Sequence, residues 1–160
     1  MLTTKKRCLV TGGAGFIGSH LVDELLLQGH TVTVIDNLSS GSSSNMTSFK
    51  NHPNLSFIKA DIRNFDDISA HFKHIDWVFH LAGLADIVPS IENPKEYYDV
   101  NVTGTLNVCM ASVEHNIQKC VYAASSSCYG LASQTPTPET AVIQPQYPYA
   151  LTKYCGEQLI

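Results

Sequence analysis

The sequence has no apolar run near the ~20 residues needed to cross a bilayer, so no membrane partner is expected. At the N-terminus Cys8–Val10 is far too short for the apolar core of a secretory signal. Positive charge is also scarce: 10 Lys and Arg stand against 14 Asp and Glu, a net charge of −4. That balance offers no general attraction for nucleic acid or an anionic membrane surface. The one basic cluster, Lys5-Lys6-Arg7, runs directly into an apolar stretch and reads as solvated charge. There is no CxxC pair and no HExxH, so no metal site is expected. The five cysteines (Cys8, Cys109, Cys120, Cys128 and Cys155) are odd in number and several lie in apolar runs. They read as buried thiols of a reducing compartment, which makes the expected location cytoplasmic.

What is present is the composition of one folded domain over residues 1–160, with 44% apolar and 15% charged residues. Apolar runs bounded by glycine or polar residues predict strands at Arg7–Thr11, Thr31–Asp36, Leu55–Asp61, Asp76–Ala82 and Lys119–Ser125. Between them, helical spacing of Phe16, Ile17, Leu21, Val22, Leu25 and Leu26 predicts a helix that ends at Gly29. A short helix is expected over Phe65–Phe72 and a long one over Pro94–His115, carrying Tyr97, Val100, Thr105, Val108 and Ala111. Gly130–Pro148 holds four prolines and reads as a surface loop. A last helix runs from Tyr149, with Leu151, Tyr154, Cys155, Gln158 and Leu159 around it. Alternating strands and helices imply right-handed crossovers and a doubly wound parallel α/β sheet of Rossmann type. The sequence stops at Ile160 within an expected helix without a cap. The reading is therefore the N-terminal part of a longer protein, truncated before a C-terminal substrate-binding part.

The strongest local signal is Gly12-Gly13-Ala14-Gly15-Phe16-Ile17-Gly18, placed between a strand and a helix. Gly12 allows a tight turn, Gly15 a close approach of backbone to a pyrophosphate, and Gly18 close packing of helix on strand. The helix N-terminus adds free N–H groups and about half a positive charge. Alone, such a pattern is an ordinary tight turn. Here the second strand ends in Asp36, 18 residues beyond Gly18. Its carboxylate would accept the ribose hydroxyls of an adenosine and repel a 2′-phosphate, which favours NAD over NADP.

Seven motifs in order resemble one family. They are Thr11–His20, Asp36-Asn37-Leu38-Ser39-Ser40-Gly41, Asp61-Ile62-Arg63, His80-Leu81-Ala82-Gly83, Asn101-Val102-Thr103-Gly104-Thr105, Ser125–Gly130 and Tyr149-Ala150-Leu151-Thr152-Lys153. The chain resembles the extended short-chain dehydrogenase/reductases of the NAD-dependent epimerase/dehydratase family, most of all the UDP-sugar 4-epimerases. That resemblance implies an NAD cofactor, a UDP-sugar substrate and a homodimer of the full-length protein, paired through the long helix and the helix from Tyr149. It implies backbone contact of Phe16 and Ile17 with the pyrophosphate. Asn37, Ser39, Ser40 and Gly41 would surround the adenosine ribose and phosphates, and Asp61 and Ile62 the adenine. Leu81, Ala82, Gly83 and Leu84 would line the path to the nicotinamide, Asn101 would steady its helix, and Ala85–Ser90 would touch the substrate. The plain alternatives are a turn carboxylate for Asp61 and a surface amide for Asn101.

Tyr149 and Lys153 lie four residues apart on one helix face. A phenol with pKa near 10 is a poor base at neutral pH, and a nearby ammonium stabilises its phenolate. Lys153 can also hold the nicotinamide ribose. Ser125 can bond the reacting oxygen together with Tyr149. By itself YxxxK is usually a helix surface pair; behind the glycine turn and the serine triplet it reads as catalytic. The family's dehydratases carry Asp and Glu where this chain has Ser126 and Ser127, and its decarboxylases carry Glu at the second of these. Cys128 stands in place of the usual Val. Serines cannot supply the acid and base that elimination needs. The reading is therefore C4 epimerisation through a 4-keto sugar, with Ser125, Ser126 and Tyr149 at the substrate. A reductase, a dehydratase, a decarboxylase or a non-catalytic NAD-binding fragment are the competing readings.

Overall fold

The structure, a computed structural model, describes residues 4–160; positions 1–3 of the expected domain lie outside the described residues. Five parallel strands form one sheet: β1 (Arg7–Thr11), β2 (Thr31–Asp36), β3 (Leu55–Lys59), β4 (Trp77–His80) and β5 (Lys119–Tyr122), in the order β3-β2-β1-β4-β5. The connection leaving β1 goes one way and the connection entering β4 the other. The crevice beyond the C-terminal ends of β1 and β4 is thus the switch point where such sheets bind ligands.

Side chains alternate along β1, and the alternation divides the core. Cys8 and Val10 pack with Val32, Val34 and, from α1 (Phe16–Leu27), Val22, Leu25 and Leu26. Leu9 faces the other way, into a cluster with Ile35, Ile68, Phe72, Val78, Val108 and Ala111. Both faces of the sheet are therefore covered, which explains strands that read as continuous apolar runs. α1 ends in a Schellman motif: the Gly29 amide donates to the Leu26 carbonyl and the His30 amide to the Leu25 carbonyl.

Several expected boundaries change. β3, β4 and β5 stop two to three residues short of the expected ends, because Ala60, Asp61, Leu81 and the residues after Tyr122 leave the sheet to build loops. The expected Phe65–Phe72 helix is one α-turn, α2 (Phe65–Ile68), running into a 3₁₀ turn, Ser69–Phe72. The segment after β4 forms a helix that periodicity missed, α3 (Ile87–Glu92). The expected Pro94–His115 helix is α4 (Pro94–Tyr98), a π-helical stretch at Asp99–Gly104, and α5 (Thr105–Glu114). Such stretches cluster at functional sites because they re-aim a side chain; here that side chain is Asn101. Gly130–Tyr147 carries no helix or strand, as its prolines imply.

The helix expected from Tyr149 is α6 (Pro148–Leu159), and it buries Ala150, Thr152, Lys153 and Gly156. Leu151 and Leu159 face outward at 46% and 38% exposure. Small residues let α6 lie close: a Cβ on Gly156 would come within 2.4 Å of the Tyr122 hydroxyl. Of the cysteines, only Cys8 and Cys128 are buried; Cys109, Cys120 and Cys155 are half-buried, and all five are free thiols. Burial pushes the Cys8 and Cys120 thiols up to about 11, so they stay protonated and unreactive. No described helix is long and apolar enough to cross a membrane, and no described group of His, Cys, Asp and Glu could hold a metal ion.

Candidate active site

Two structures meet beyond the C-terminal ends of the strands. The first is a cleft walled by Gly12 and Gly15, by Asp36, Asn37, Ser39, Ser40 and Gly41, by Asp61, Ile62 and Arg63, and by Leu81, Ala82, Gly83 and Leu84. Of the segments expected to hold a cofactor, the glycine turn and those at Asp36, Asp61 and Leu81 line this wall; Asn101 does not, and neither do Tyr149 and Lys153 on the last helix. Ile35, Ala60, Glu96 and Val100 also line it, and the sequence pattern gave no sign of them.

The cleft has the shape a dinucleotide requires. Gly12 has φ +73°, and a Cβ there would sit 2.7 Å from the Ala82 nitrogen. A Cβ on Gly18 would lie 2.1 Å from the Gly12 carbonyl, so glycine alone lets α1 start against the turn. Gly15 is the N-cap and supplies no side chain, and the first turn of α1 holds no acidic residue. The amides of Phe16, Ile17 and Gly18 are therefore left for an anion. Phe16 and Ile17 turn their side chains to solvent, at 79% and 67% exposure, so only their backbone can serve the cleft.

Asp36 is buried, and its carboxylate is tied down: it accepts from the Ala14 amide at 2.9 Å and the Leu38 amide at 2.8 Å. It thereby locks the glycine turn to the end of β2 and keeps lone pairs for ribose hydroxyls. Asp61 does act as a turn carboxylate, accepting the Arg63 amide at 2.9 Å, and it faces the cleft as well. Arg63 grips it from Nη2 at 2.7 Å and Nε at 3.0 Å, and Asn37 donates to it at 2.9 Å. Hydrogen bonds from Arg63 hold its carboxyl down at about 2, so it stays charged. The Arg63 charge is spent on Asp61 and does not open the cleft to a second phosphate.

The second structure is the cluster around α6. The Tyr149 hydroxyl donates to Ser125 Oγ at 3.3 Å, across 24 residues of sequence. Ser125 lies three residues past β5 as the N-cap of a 3₁₀ turn, Ser126–Tyr129; the expected strand end is a cap instead. Its Oγ accepts the Ser127 amide and sits 2.7 Å from Ser127 Oγ. Ser126 is exposed. Tyr149 stacks at 9° on Tyr147 and meets the buried Tyr97 edge-on, which fixes its ring.

Lys153 is buried, and its ammonium lies 4.1 Å from the centre of the Tyr122 ring. Loss of water brings its pKa down to about 8. No described hydrogen bond joins Lys153 to Tyr149, so any effect of its charge on the phenol acts through space. Tyr122 is the residue that the sequence reading missed here: its hydroxyl donates to the Lys153 carbonyl at 3.3 Å, and its ring seats the ammonium.

Asn101 is fully engaged. Its Oδ1 accepts from the Leu84 amide at 2.8 Å, and its Nδ2 donates to the Leu84 carbonyl and to Thr152 Oγ1. It is not a surface amide and does not wall the cleft; it clamps the loop after β4 to α6. Beneath it lies fully buried His80, between Thr11 at 2.7 Å and Thr105 at 2.9 Å. Thr105 gives its proton to the Asn101 carbonyl, so it must accept from His80 Nε2–H. Thr11 accepts the Ala82 amide and therefore donates to His80 Nδ1. Burial brings the His80 pKa down to about 3, which agrees with a neutral ring held in one tautomer.

A parallel sheet with a glycine turn at its switch point defines a dinucleotide-binding domain of Rossmann type, here with a Ser, Tyr and Lys cluster beside it. The chain belongs to the NAD dependent epimerase/dehydratase family, whose model matches residues 8–160. It is 41% identical over 154 residues to a putative UDP-glucose 4-epimerase of Methanocaldococcus jannaschii, covering 95% of this chain and 49% of that protein. Among solved structures, the UDP-N-acetylglucosamine 4-epimerase of Methanobrevibacter ruminantium M1, in complex with UDP-N-acetylmuramic acid, superposes with TM-score 0.92 at 40% identity, over 98% of this chain and 49% of that one. UDP-glucose 4-epimerase from Brucella ovis, in complex with NAD, superposes with TM-score 0.88 at 33% identity, over 96% of this chain and 46% of that one. The chain thus spans about half the length of the relatives it matches.

Proposed function

We propose that this chain is the nucleotide-binding half of an NAD-dependent UDP-sugar 4-epimerase. One observation carries the proposal: the Tyr149 hydroxyl meets Ser125 Oγ at 3.3 Å in a cluster that has serines, not carboxylates, at 126 and 127. The cleft fits the cofactor, with bare amides at the start of α1 for the pyrophosphate and Asp36 for the adenosine ribose. When bound, NAD supplies a hydride acceptor and donor at the sugar carbon.

The chain's own residues manage the proton and the oxygen. Tyr149 as phenolate accepts the proton of the C4 hydroxyl and later returns it to the 4-keto oxygen. Ser125 bonds that oxygen and steadies the charge it gains. Lys153, seated on Tyr122, supplies positive charge on the same helix face and would hold the nicotinamide ribose. Ser126 and Ser127 offer no acid–base pair for removing a hydroxyl from the neighbouring position, which favours epimerisation over dehydration.

The partners follow from the same reading. A UDP-sugar is the substrate, its sugar bound chiefly by a C-terminal part beyond residues 1–160. A homodimer would cover the exposed apolar side chains of α4, α5 and α6: Tyr98, Leu106, Met110 and Val113 at 49%, 42%, 48% and 79% exposure, and Leu151 at 46%. Free thiols and the absence of a net positive charge favour a cytoplasmic enzyme without nucleic-acid partners. The test is product analysis with the full-length protein carrying this chain, incubated with UDP-glucose and with UDP-N-acetylglucosamine. A 4-epimer is expected; a 4-keto-6-deoxy product would overturn the reading.

A further inference from the structure

We infer that Ser127 is a positioning residue for Ser125, a reversible hydroxyl that holds the Ser125 proton at rest and returns the hydrogen bond during the reaction. The inference rests on the C4 oxidation proposed above and assigns a role to a side chain that reading leaves idle.

Counting protons fixes the resting direction. A serine oxygen has one proton and two lone pairs. Ser125 Oγ receives the Tyr149 hydroxyl at 3.3 Å and the Ser127 amide at 3.3 Å, which uses both lone pairs. The short 2.7 Å contact to Ser127 Oγ must therefore carry the proton of Ser125 itself. Ser127 accepts it, and the proton of Ser127 has no acceptor among the described residues. In this state Ser125 is turned away from the place where a sugar oxygen would bond.

A reacting C4 oxygen gains negative charge as its proton leaves for Tyr149, and it then needs the Ser125 proton. Once Tyr149 turns to the sugar, one lone pair of Ser125 is free. Ser127 can rotate its own O–H toward Ser125 Oγ while Ser125 donates to the sugar oxygen. Two O–H bonds rotate; no covalent bond forms or breaks, and no proton changes owner. The Ser127-to-Ser125 bond then polarises Ser125 as a donor. A carboxylate at 127 would accept only and would keep the Ser125 proton. A methyl group would neither hold nor return it. A hydroxyl does both, and Ser127 lies half-buried where its heavy atom is already in place.

The experiment is steady-state kinetics of the full-length protein with a UDP-sugar, together with NAD content and melting temperature. Variants are Ser127→Ala, the isosteric pair Ser127→Thr and Ser127→Val, Ser125→Ala, and Ser125→Ala combined with Ser127→Ala. Loss of one neutral hydrogen bond in the transition state predicts a kcat about 3- to 10-fold lower in Ser127→Ala and Ser127→Val. KM and NAD content stay unchanged, and Ser127→Thr keeps most of the activity. In the Ser125→Ala background, Ser127→Ala has no further effect, because Ser127 acts only through Ser125. Wild-type kcat in both Ser127→Ala and Ser127→Val, with Ser125→Ala impaired, overturns the inference alone. So do independent, multiplicative losses in the double variant, or equal losses in the Thr and Val variants. Wild-type kcat in Ser125→Ala overturns the C4-oxidation reading itself.

Discussion

Lys153 carries a cost that the fold sustains for the sake of the site. Its pKa in the folded chain is about 8, against 10.5 for a solvated lysine. The unfolded chain therefore binds more protons between these values, and stability rises with pH across that window. Below pH 8 the penalty is present in full. Lys153→Met should abolish activity, flatten the pH dependence of stability between 8 and 10.5, and raise stability at pH 7 by on the order of 1–3 kcal/mol. Loss of the contact with Tyr122 offsets part of that gain. Denaturant melts across the pH range check the sign. His80 gives a second check: with its pKa near 3, against 6.5 in the unfolded chain, it lends stability that is lost as pH falls through that window. Nitrogen-15 NMR should find one ring in the Nε2–H form that does not titrate between pH 5 and 8.

At the scale of elements, the site depends on how closely α1 and α6 approach the sheet. Gly18→Ala puts a methyl group 2.1 Å from the Gly12 carbonyl, so α1 must move or the turn must open. We expect loss of NAD binding with destabilisation of a few kcal/mol, read by calorimetric titration and melting. Asn101→Leu should cost about 2–4 kcal/mol, since it leaves both backbone groups of Leu84 and the hydroxyl of Thr152 without their partner. These elements also show what the sequence could disclose. The strands, α1 and the glycine turn were legible because their signals are local: apolar runs, 3.6-residue spacing, and glycine where a Cβ cannot fit. The Ser125–Tyr149 meeting was legible only through the family resemblance, since 24 residues and a proline-rich loop separate the two. The seat of Lys153 on Tyr122, the Arg63 grip on Asp61 and the His80 relay were not legible. The first and the last join distant elements and the Arg63 grip spans two residues of one loop, but none has a periodic signature. The π-helical stretch escaped for another reason: Asn101 turns inward because Leu84 and Thr152 are there to receive it, a tertiary preference that overrides regular helical spacing.

At the scale of the whole molecule, the chain provides a candidate cofactor cleft and a set of exposed apolar positions on α4, α5 and α6. If these cover one another in a homodimer, Val113→Glu should shift the full-length protein toward monomer in sedimentation and leave NAD content unchanged. The reaction proposed has one signature that dehydration lacks: the hydrogen removed from C4 comes back to C4, on the opposite face. The decisive measurement uses a UDP-sugar deuterated at C4 and the full-length protein, with products followed by NMR. The account predicts the 4-epimer with deuterium kept at C4 and no net change in cofactor redox state, and it predicts that Tyr149→Phe lowers the rate by roughly 10²–10⁴-fold. An epimer with deuterium exchanged for solvent hydrogen, or a Tyr149→Phe protein of unchanged rate, would contradict it.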